Sequence, residues 1–279
     1  MSFENAIAAI EQRAAAAIKM EAGDYEKDGL LHCGKCHTPK QCFVEVFGTI
    51  RKPPCLCKCA VDAREKEEEA RRQREFAEKV QRYRSMGFPE SEMSKWTFAA
   101  DDGSNPKMTT AMQNYVQHFP QFQQQGKGLL LFGNVGTGKT FLAACAANAL
   151  IDKGVPCLVT NFARIANTVQ GLFEGRQEYY DSLNRFPLLV LDDLSAERKT
   201  EYMQEIVFNV IDARYRAKLP LIVTTNLTRE ELMHPADITY QRIFSRLFEM
   251  CTPIEVAGVD RRHAALKNDI AATKQLLGL

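Results

Sequence analysis

Gly133-Asn134-Val135-Gly136-Thr137-Gly138-Lys139-Thr140 is the stretch on which the reading of this chain turns. It fits G-x-x-x-x-G-K-[ST], and both flanks that the motif requires are present. Leu129-Leu130-Leu131-Phe132 before it has the length and apolar character of a buried parallel strand. The segment from Phe141 to Ile151 after it is rich in Ala and Leu and free of Gly and Pro, which predicts a helix. Strand, glycine loop and helix turn backbone N–H groups and a helix N-terminus toward a phosphate. Gly133, Gly136 and Gly138 let those amides approach the anion with no Cβ in the way. Lys139 supplies a point charge for the β- and γ-phosphates, and the Thr140 hydroxyl is placed to coordinate Mg²⁺. Residues 133–140 and Phe141 are the candidate nucleotide contacts.

A second run, Phe186-Pro-Leu-Leu-Val-Leu-Asp192-Asp193-Leu194, reads as a buried strand ending in paired carboxylates. Mg²⁺–nucleotide chemistry needs such a pair. Asp192 would hold Mg²⁺ through its water shell, and Asp193 would orient and polarise an attacking water. A third run, Leu219-Pro-Leu-Ile-Val-Thr-Thr225-Asn226, also ends in polar residues, and the Asn226 amide could reach between a γ-phosphate and that water. Apolar strand candidates at 128–132, 155–160, 186–191, 219–225 and 252–256 alternate with helical stretches. The alternation predicts an α/β fold with a largely parallel sheet, helices on both faces and ligands at the carboxyl ends of strands.

The whole chain sets the bounds. Its 279 residues suffice for one main domain and a smaller module. A net charge of +1 gives no global electrostatic case for nucleic acid. No apolar run approaches a membrane span, and no secretion signal opens the chain, so a cytoplasmic location is expected. In that compartment nine cysteines point to metal ligands or free thiols ahead of disulfides.

Six of those cysteines crowd between Cys33 and Cys59. Cys33-Gly-Lys-Cys36 supplies two thiolates to one Zn²⁺, and a second short-spaced pair closes the tetrahedron. Cys57 with Cys59 is the favoured second pair, with Cys55 in place of either as the alternative. A module this small builds little core, so bound Zn²⁺ would supply folding energy directly. Cys145, Cys157 and Cys251 stand singly in apolar stretches, as buried core residues do. Upstream, Ser2 to Glu21 places Phe3, Ile7, Ile10, Ala14, Ala17 and Ile18 on one helical face. Downstream, Val61 to Tyr83 is a dense run of Glu, Arg and Lys that predicts a solvated spacer helix. The expected division is residues 1–60 for the helix and zinc module, 61–94 for the charged linker helix and 95–279 for the ATPase domain.

Gly-Thr-Gly-Lys-Thr140, Leu-Asp192-Asp193-Leu, Thr-Thr225-Asn226 and Arg242-Ile-Phe-Ser-Arg246-Leu occur in this order at suitable intervals. Over about residues 95–265 they resemble the AAA+ ATPases of the DnaC/DnaI type, the replicative helicase loaders, with the transposition ATPase IstB as a relative. The resemblance implies a P-loop AAA+ core that takes ATP, Mg²⁺ and, in the N-terminal module, Zn²⁺. It assigns Asn226 to the sensor-1 position, Asp193 to the catalytic acid and Arg246 to an arginine finger reaching a neighbour's nucleotide. Gly258-Val-Asp-Arg261-Arg262 is similar to the sensor-2 segment, with Arg262 favoured over Arg261 as the γ-phosphate contact. Only one helix follows, so the helical lid of many AAA+ proteins is expected to be missing or vestigial. The implied partners are a hexameric replicative helicase gripped by the zinc module, single-stranded DNA, and further copies of the chain through the ATP site. The other readings are an IstB-like transposition ATPase and a zinc-stabilised, ATP-switched adaptor with little turnover.

Overall fold

In the computed structural model, which describes residues 20–46, 48–88, 92–172, 174–194, 200–258, 260–261 and 273–277, three strands of the central sheet begin one residue after a proline. Pro156 precedes β6 (Cys157–Asn161), Pro187 precedes β7 (Leu188–Leu194) and Pro220 precedes β8 (Leu221–Thr225). The apolar pattern had placed these starts about two residues earlier. Proline has no N–H to give to a ladder, so pairing starts only beyond it. Buried Arg214 satisfies carbonyls at two of those entrances, β7 and β8: its guanidinium donates to Phe186 O at 2.8 Å, to Pro187 O at 3.2 Å and to Pro220 O.

The chain divides into two units, and the division falls between Ala77 and Glu78. The first unit holds two short antiparallel hairpins, β1 (Tyr25–Lys27) with β2 (Leu30–His32) and β3 (Val44–Val46) with β4 (Thr49–Arg51). Helix α1 (Lys58–Gly87) runs on from it into the second unit. Its exposed surface carries the ion pair Glu68–Arg72 at 3.1 Å, the i,i+4 spacing the charge pattern implied. The helix expected over Ser2 to Glu21 lies almost wholly outside the described residues.

The second unit is built on a five-stranded sheet in the order β6-β7-β8-β5-β9, with β5 (Gly128–Phe132) next to the last strand β9 (Cys251–Glu255). All of its pairings are parallel. Apolar residues fill both faces, which is why these strands read as continuous apolar runs instead of alternating ones. On one face Leu130, Leu189 and Val223 pack with α5 (Phe162–Gln170), α7 (Glu201–Ala217) and α9 (Ile238–Met250). On the other, Leu131, Val190 and Ile222 pack with α2 (Pro106–Gln117) and α4 (Lys139–Asp152). The short helices α3 (Phe119–Gln125), α6 (Arg176–Ser182) and α8 (Arg229–Met233) complete the connections. Cys145, Cys157 and Cys251 are buried in this unit. No helix among the described residues is long and apolar enough to cross a membrane.

Candidate nucleotide site and metal centre

Strand β8 lies between the strand that leads into the glycine loop and the strand that ends in the paired carboxylates. That order brings the carboxyl ends of β5, β7 and β8 together, where an α/β sheet binds ligands. The loop after β5 needs its glycines. Gly133, Gly136 and Gly138 have φ of +129°, +77° and +91°, a region that costs a residue with a Cβ. At Gly136 space is tight as well, since a Cβ there would stand 3.0 Å from Asp260 Cα and would push the Asp260 carboxylate aside. The Arg261 N–H donates to Gly136 O at 3.0 Å, so the Asp260–Arg261 segment is laid directly over the loop. Lys139 Nζ donates to Gly133 O at 2.9 Å and to Asn134 O at 2.6 Å. Its ammonium is thus held over the loop, and the side chain is buried.

Across the cleft, the ladder between β7 and β8 is irregular between Leu191 and Leu194. A bulge re-aims side chains and frees backbone groups, and here Asp193 takes φ of +58°. The Thr224 hydroxyl joins both carboxylates' residues: it donates to Asp192 Oδ1 at 2.6 Å and accepts from the Asp193 N–H at 2.9 Å. The Asn226 amide donates to Asp193 Oδ1 at 2.8 Å. The Thr225 hydroxyl donates to Leu194 O at 2.8 Å, fixing the end of the irregular stretch.

These groups border one cleft of about 450 Å³. Its polar lining includes Lys139, Thr140, Asp192, Asp193 and Asn226, and its apolar lining includes Met93, Trp96, Ala100 and Phe141. The Trp96 and Phe141 rings lie 5.9 Å apart. Arg261 also borders the cleft, with Nη1 at 3.1 Å from Asp102 and 3.4 Å from Asp101. Arg262 lies outside the described residues. Arg246 is not among the residues that border the cleft. Its guanidinium meets Asp212 Oδ1 at 3.0 Å and stands over the Phe208 ring at 4.5 Å, on the face formed by α7 and α9. Arg242 borders an open groove with Glu201 and Asp237 on the same two helices. Asp101 and Asp102 carried no signal in the sequence, because carboxylates near helix ends are common, and Thr224 was read only as part of the Thr-Thr225-Asn226 strand end.

In the first unit, Cys33, Cys36, Cys57 and Cys59 gather with their sulfurs all within 4.8 Å of one another. Tetrahedral Zn²⁺ with Zn–S near 2.3 Å sets sulfurs about 3.8 Å apart, so the group needs little adjustment to close on such an ion. Cys33 and Cys59 are 3.5 Å apart, and Cys57 and Cys59 are 3.3 Å apart. Cys42 and Cys55 stand outside the group, with their thiols on the Pro53 and Pro39 carbonyls. The electrostatics suit a cation. The Cys36 thiol is pulled down to about 5, first by the Thr38 hydroxyl and then by the N–H groups of Cys59 and Thr38. Backbone N–H groups of Cys36 and Lys35 pull Cys33 down as well. Cys59 is pushed up to about 12 by sharing hydrogen with Cys57, Cys33 and Cys36. Negative charge therefore collects among four sulfurs, where a metal ion would relieve it.

The knuckle has its own support. The Gly34 N–H donates to Asp24 Oδ1 at 3.0 Å, and Lys40 Nζ donates to Asp24 Oδ2 at 2.6 Å. The Asp24 carboxyl is held down at about 2, by Lys40 first and then by the N–H groups of Glu21 and Gly34. A Cβ on Gly34 would stand 2.2 Å from Gly23 O, so only glycine fits at the position that follows Cys33.

Residues 60–267 match the family described as IstB-like ATP binding protein. The chain is 26% identical over 181 residues to the replicative helicase loader DnaI of Bacillus subtilis, covering 60% of this chain and 58% of that protein. It is 26% identical over 126 residues to the replicative helicase loader DnaC of Escherichia coli, covering 44% of this chain and 51% of that protein. The chain thus spans little more than half the length of either relative. A crystal structure of DnaI superposes with a TM-score of 0.53 at 25% identity, covering 64% of this chain and 99% of that one.

Proposed function

The chain belongs to the family of IstB-like ATP binding proteins, and from that membership we propose that it is an ATPase that loads a replicative DNA helicase. One observation carries the enzymatic reading: a single cleft is bordered by Lys139, Thr140, Asp192, Asp193 and Asn226. Lys139 and the amides of residues 133–140 bind the β- and γ-phosphates of ATP, and the apolar lining with Met93, Trp96 and Phe141 receives the base. Thr140 and Asp192 would hold Mg²⁺, which offsets charge on the phosphates when bound. Asp193 accepts the proton of a water whose oxygen attacks the γ-phosphorus, while the bond to the bridging oxygen breaks and ADP leaves. Asn226 holds Asp193 by its side-chain amide for that task. Arg261 borders the same cleft and is the described candidate for a γ-phosphate contact.

Arg246, outside its own cleft, serves a neighbouring copy. The four-thiol group binds Zn²⁺ and holds the small unit in shape for a protein partner. The loading role draws on the relatives described as replicative helicase loaders. Single-stranded DNA is the expected nucleic-acid ligand. The test pairs two measurements on the full chain. ATP turnover is measured with and without single-stranded DNA, and complex formation is measured with a hexameric replicative helicase. Turnover abolished by Asp193→Asn, with a helicase complex lost on Cys33→Ser, is the expected result. Turnover untouched by Asp193→Asn would remove the enzymatic reading. The family description favours one second reading, an IstB-like transposition ATPase. Stimulation by duplex DNA without any helicase complex would select it.

A further inference from the structure

Asn148 is almost wholly buried, 1% exposed, in the middle of the helix that begins with Lys139 and Thr140. Asparagine is a weak helix former, and a buried amide needs partners. Its partners are unusual. Asn148 Nδ2 donates to Met93 O at 2.9 Å and to Trp96 O at 2.9 Å. These are the first residue of the 3₁₀ turn Met93–Lys95 and the residue that closes it. Two carbonyl acceptors on one nitrogen also fix the amide's orientation, since its oxygen could serve neither. Met93 and Trp96 both belong to the apolar lining of the cleft, with Ala100 and Phe141.

We propose that Asn148 is the positioning residue of the base-binding end of the cleft. It acts through Met93 and Trp96 and ties that wall to the same helix that carries the phosphate-binding Lys139. Both carbonyls look to one side chain, so the turn cannot shift without giving up both bonds. Phe141 stands on that helix too, with its ring 5.9 Å from Trp96. The apolar lining and the phosphate-binding lysine are therefore tied to one helix, with about two and a half turns from Lys139 to Asn148. The inference rests on the reading of the cleft as an ATP site.

Trp96 is the one tryptophan of the 279-residue sequence, so its fluorescence reports on this wall alone. The experiment titrates the full chain with Mg·ATP and with Mg·tripolyphosphate, which lacks the base. In the unsubstituted chain, ATP is expected to change Trp96 emission and tripolyphosphate is not. Asn148→Leu, with the same heavy-atom branching but without donors, is expected to weaken ATP roughly tenfold to a hundredfold and to leave tripolyphosphate binding unchanged. KM for ATP rises while kcat stays within about twofold, because the hydrolytic groups are untouched. Emission of the nucleotide-free variant moves to the red as the turn loosens. If Asn148→Leu does not fold, Asn148→Ala carries the same comparison, since alanine is the best helix former. Equal weakening of both ligands would mean a general structural role, and no change in either would mean none; each overturns the proposal. So would a Trp96 emission indifferent to ATP in a chain that binds ATP. A chain that binds neither ligand would instead bring down the nucleotide reading itself.

Discussion

The Asn226 amide donates to Asp193 Oδ1 at 2.8 Å, across the irregular end of the β7–β8 ladder. Asp193 sits at φ of +58°, a conformation that Asp and Asn tolerate better than most residues. Asp193→Asn should therefore keep the backbone and the cleft while removing the proton acceptor. Turnover is expected to fall about 10²- to 10⁴-fold with ATP affinity retained. Asn226→Ala leaves the carboxylate but frees its orientation, so its loss should be smaller, roughly tenfold to a hundredfold. Phosphate release and nucleotide binding on both variants check the order.

The Thr224 hydroxyl contacts both members of the carboxylate pair's strand end, Asp192 Oδ1 and the Asp193 N–H. It is 1% exposed although it borders the cleft. Thr224→Val keeps the shape and strips the hydroxyl. We expect a loss of about 1–3 kcal/mol in denaturant unfolding. The Mg²⁺ concentration needed for half-maximal turnover should rise with it. Unchanged Mg²⁺ dependence would mean that Asp192 needs no such anchor.

The glycine loop, the Asp192–Asp193 strand end and Asn226 were legible in the sequence because their chemistry demands particular residues at fixed spacing. So were Cys33, Cys36, Cys57 and Cys59, whose short spacings admit few other uses. Strand starts were misplaced because Pro156, Pro187 and Pro220 look apolar yet cannot pair. The supporting contacts were invisible for a different reason. Asn148 and Met93 are 55 positions apart, Asp193 and Thr224 are 31, and Arg214 and Phe186 are 28. Only the sheet order and helix packing bring such pairs together, and no local pattern encodes them. Arg246 shows the opposite case: its motif was read, and the fold places it on Asp212 and Phe208, outside its own cleft.

Asp24 supports the metal centre from behind, through the Gly34 N–H and the Lys40 ammonium. Partners of this kind orient ligands, and their loss commonly costs 10- to 100-fold in metal affinity. Asp24→Ala should lower resistance to a Zn²⁺ chelator by about that factor. Zn²⁺ release followed by a colorimetric indicator checks it. Full chelation of the unsubstituted chain should unfold the hairpins of the first unit and leave ATP binding intact, because every residue that borders the cleft belongs to the second unit. Loss of ATP binding on chelation would contradict that independence.

Arg246 borders the α7–α9 face, with its side chain 27% exposed and its guanidinium on Asp212. A structural ion pair and a finger for a neighbouring site both fit this placement, and they differ in what a mixture does. Arg246→Ala alone lowers turnover under either role. Mixed with Asp193→Asn, the outcomes separate. An assembly that shares sites between copies joins an intact Asp193 from one subunit to an intact Arg246 from the other. With random mixing at equal amounts, about a quarter of the sites regain both groups, so turnover should recover to roughly a quarter of the unsubstituted rate. A purely structural Arg246 gives no recovery, since each subunit then fails on its own account. Asp212→Asn sharpens the comparison. It loosens the pair seen within one chain, so it should destabilise the fold if the pair is structural and leave the mixing result intact if Arg246 works across the interface.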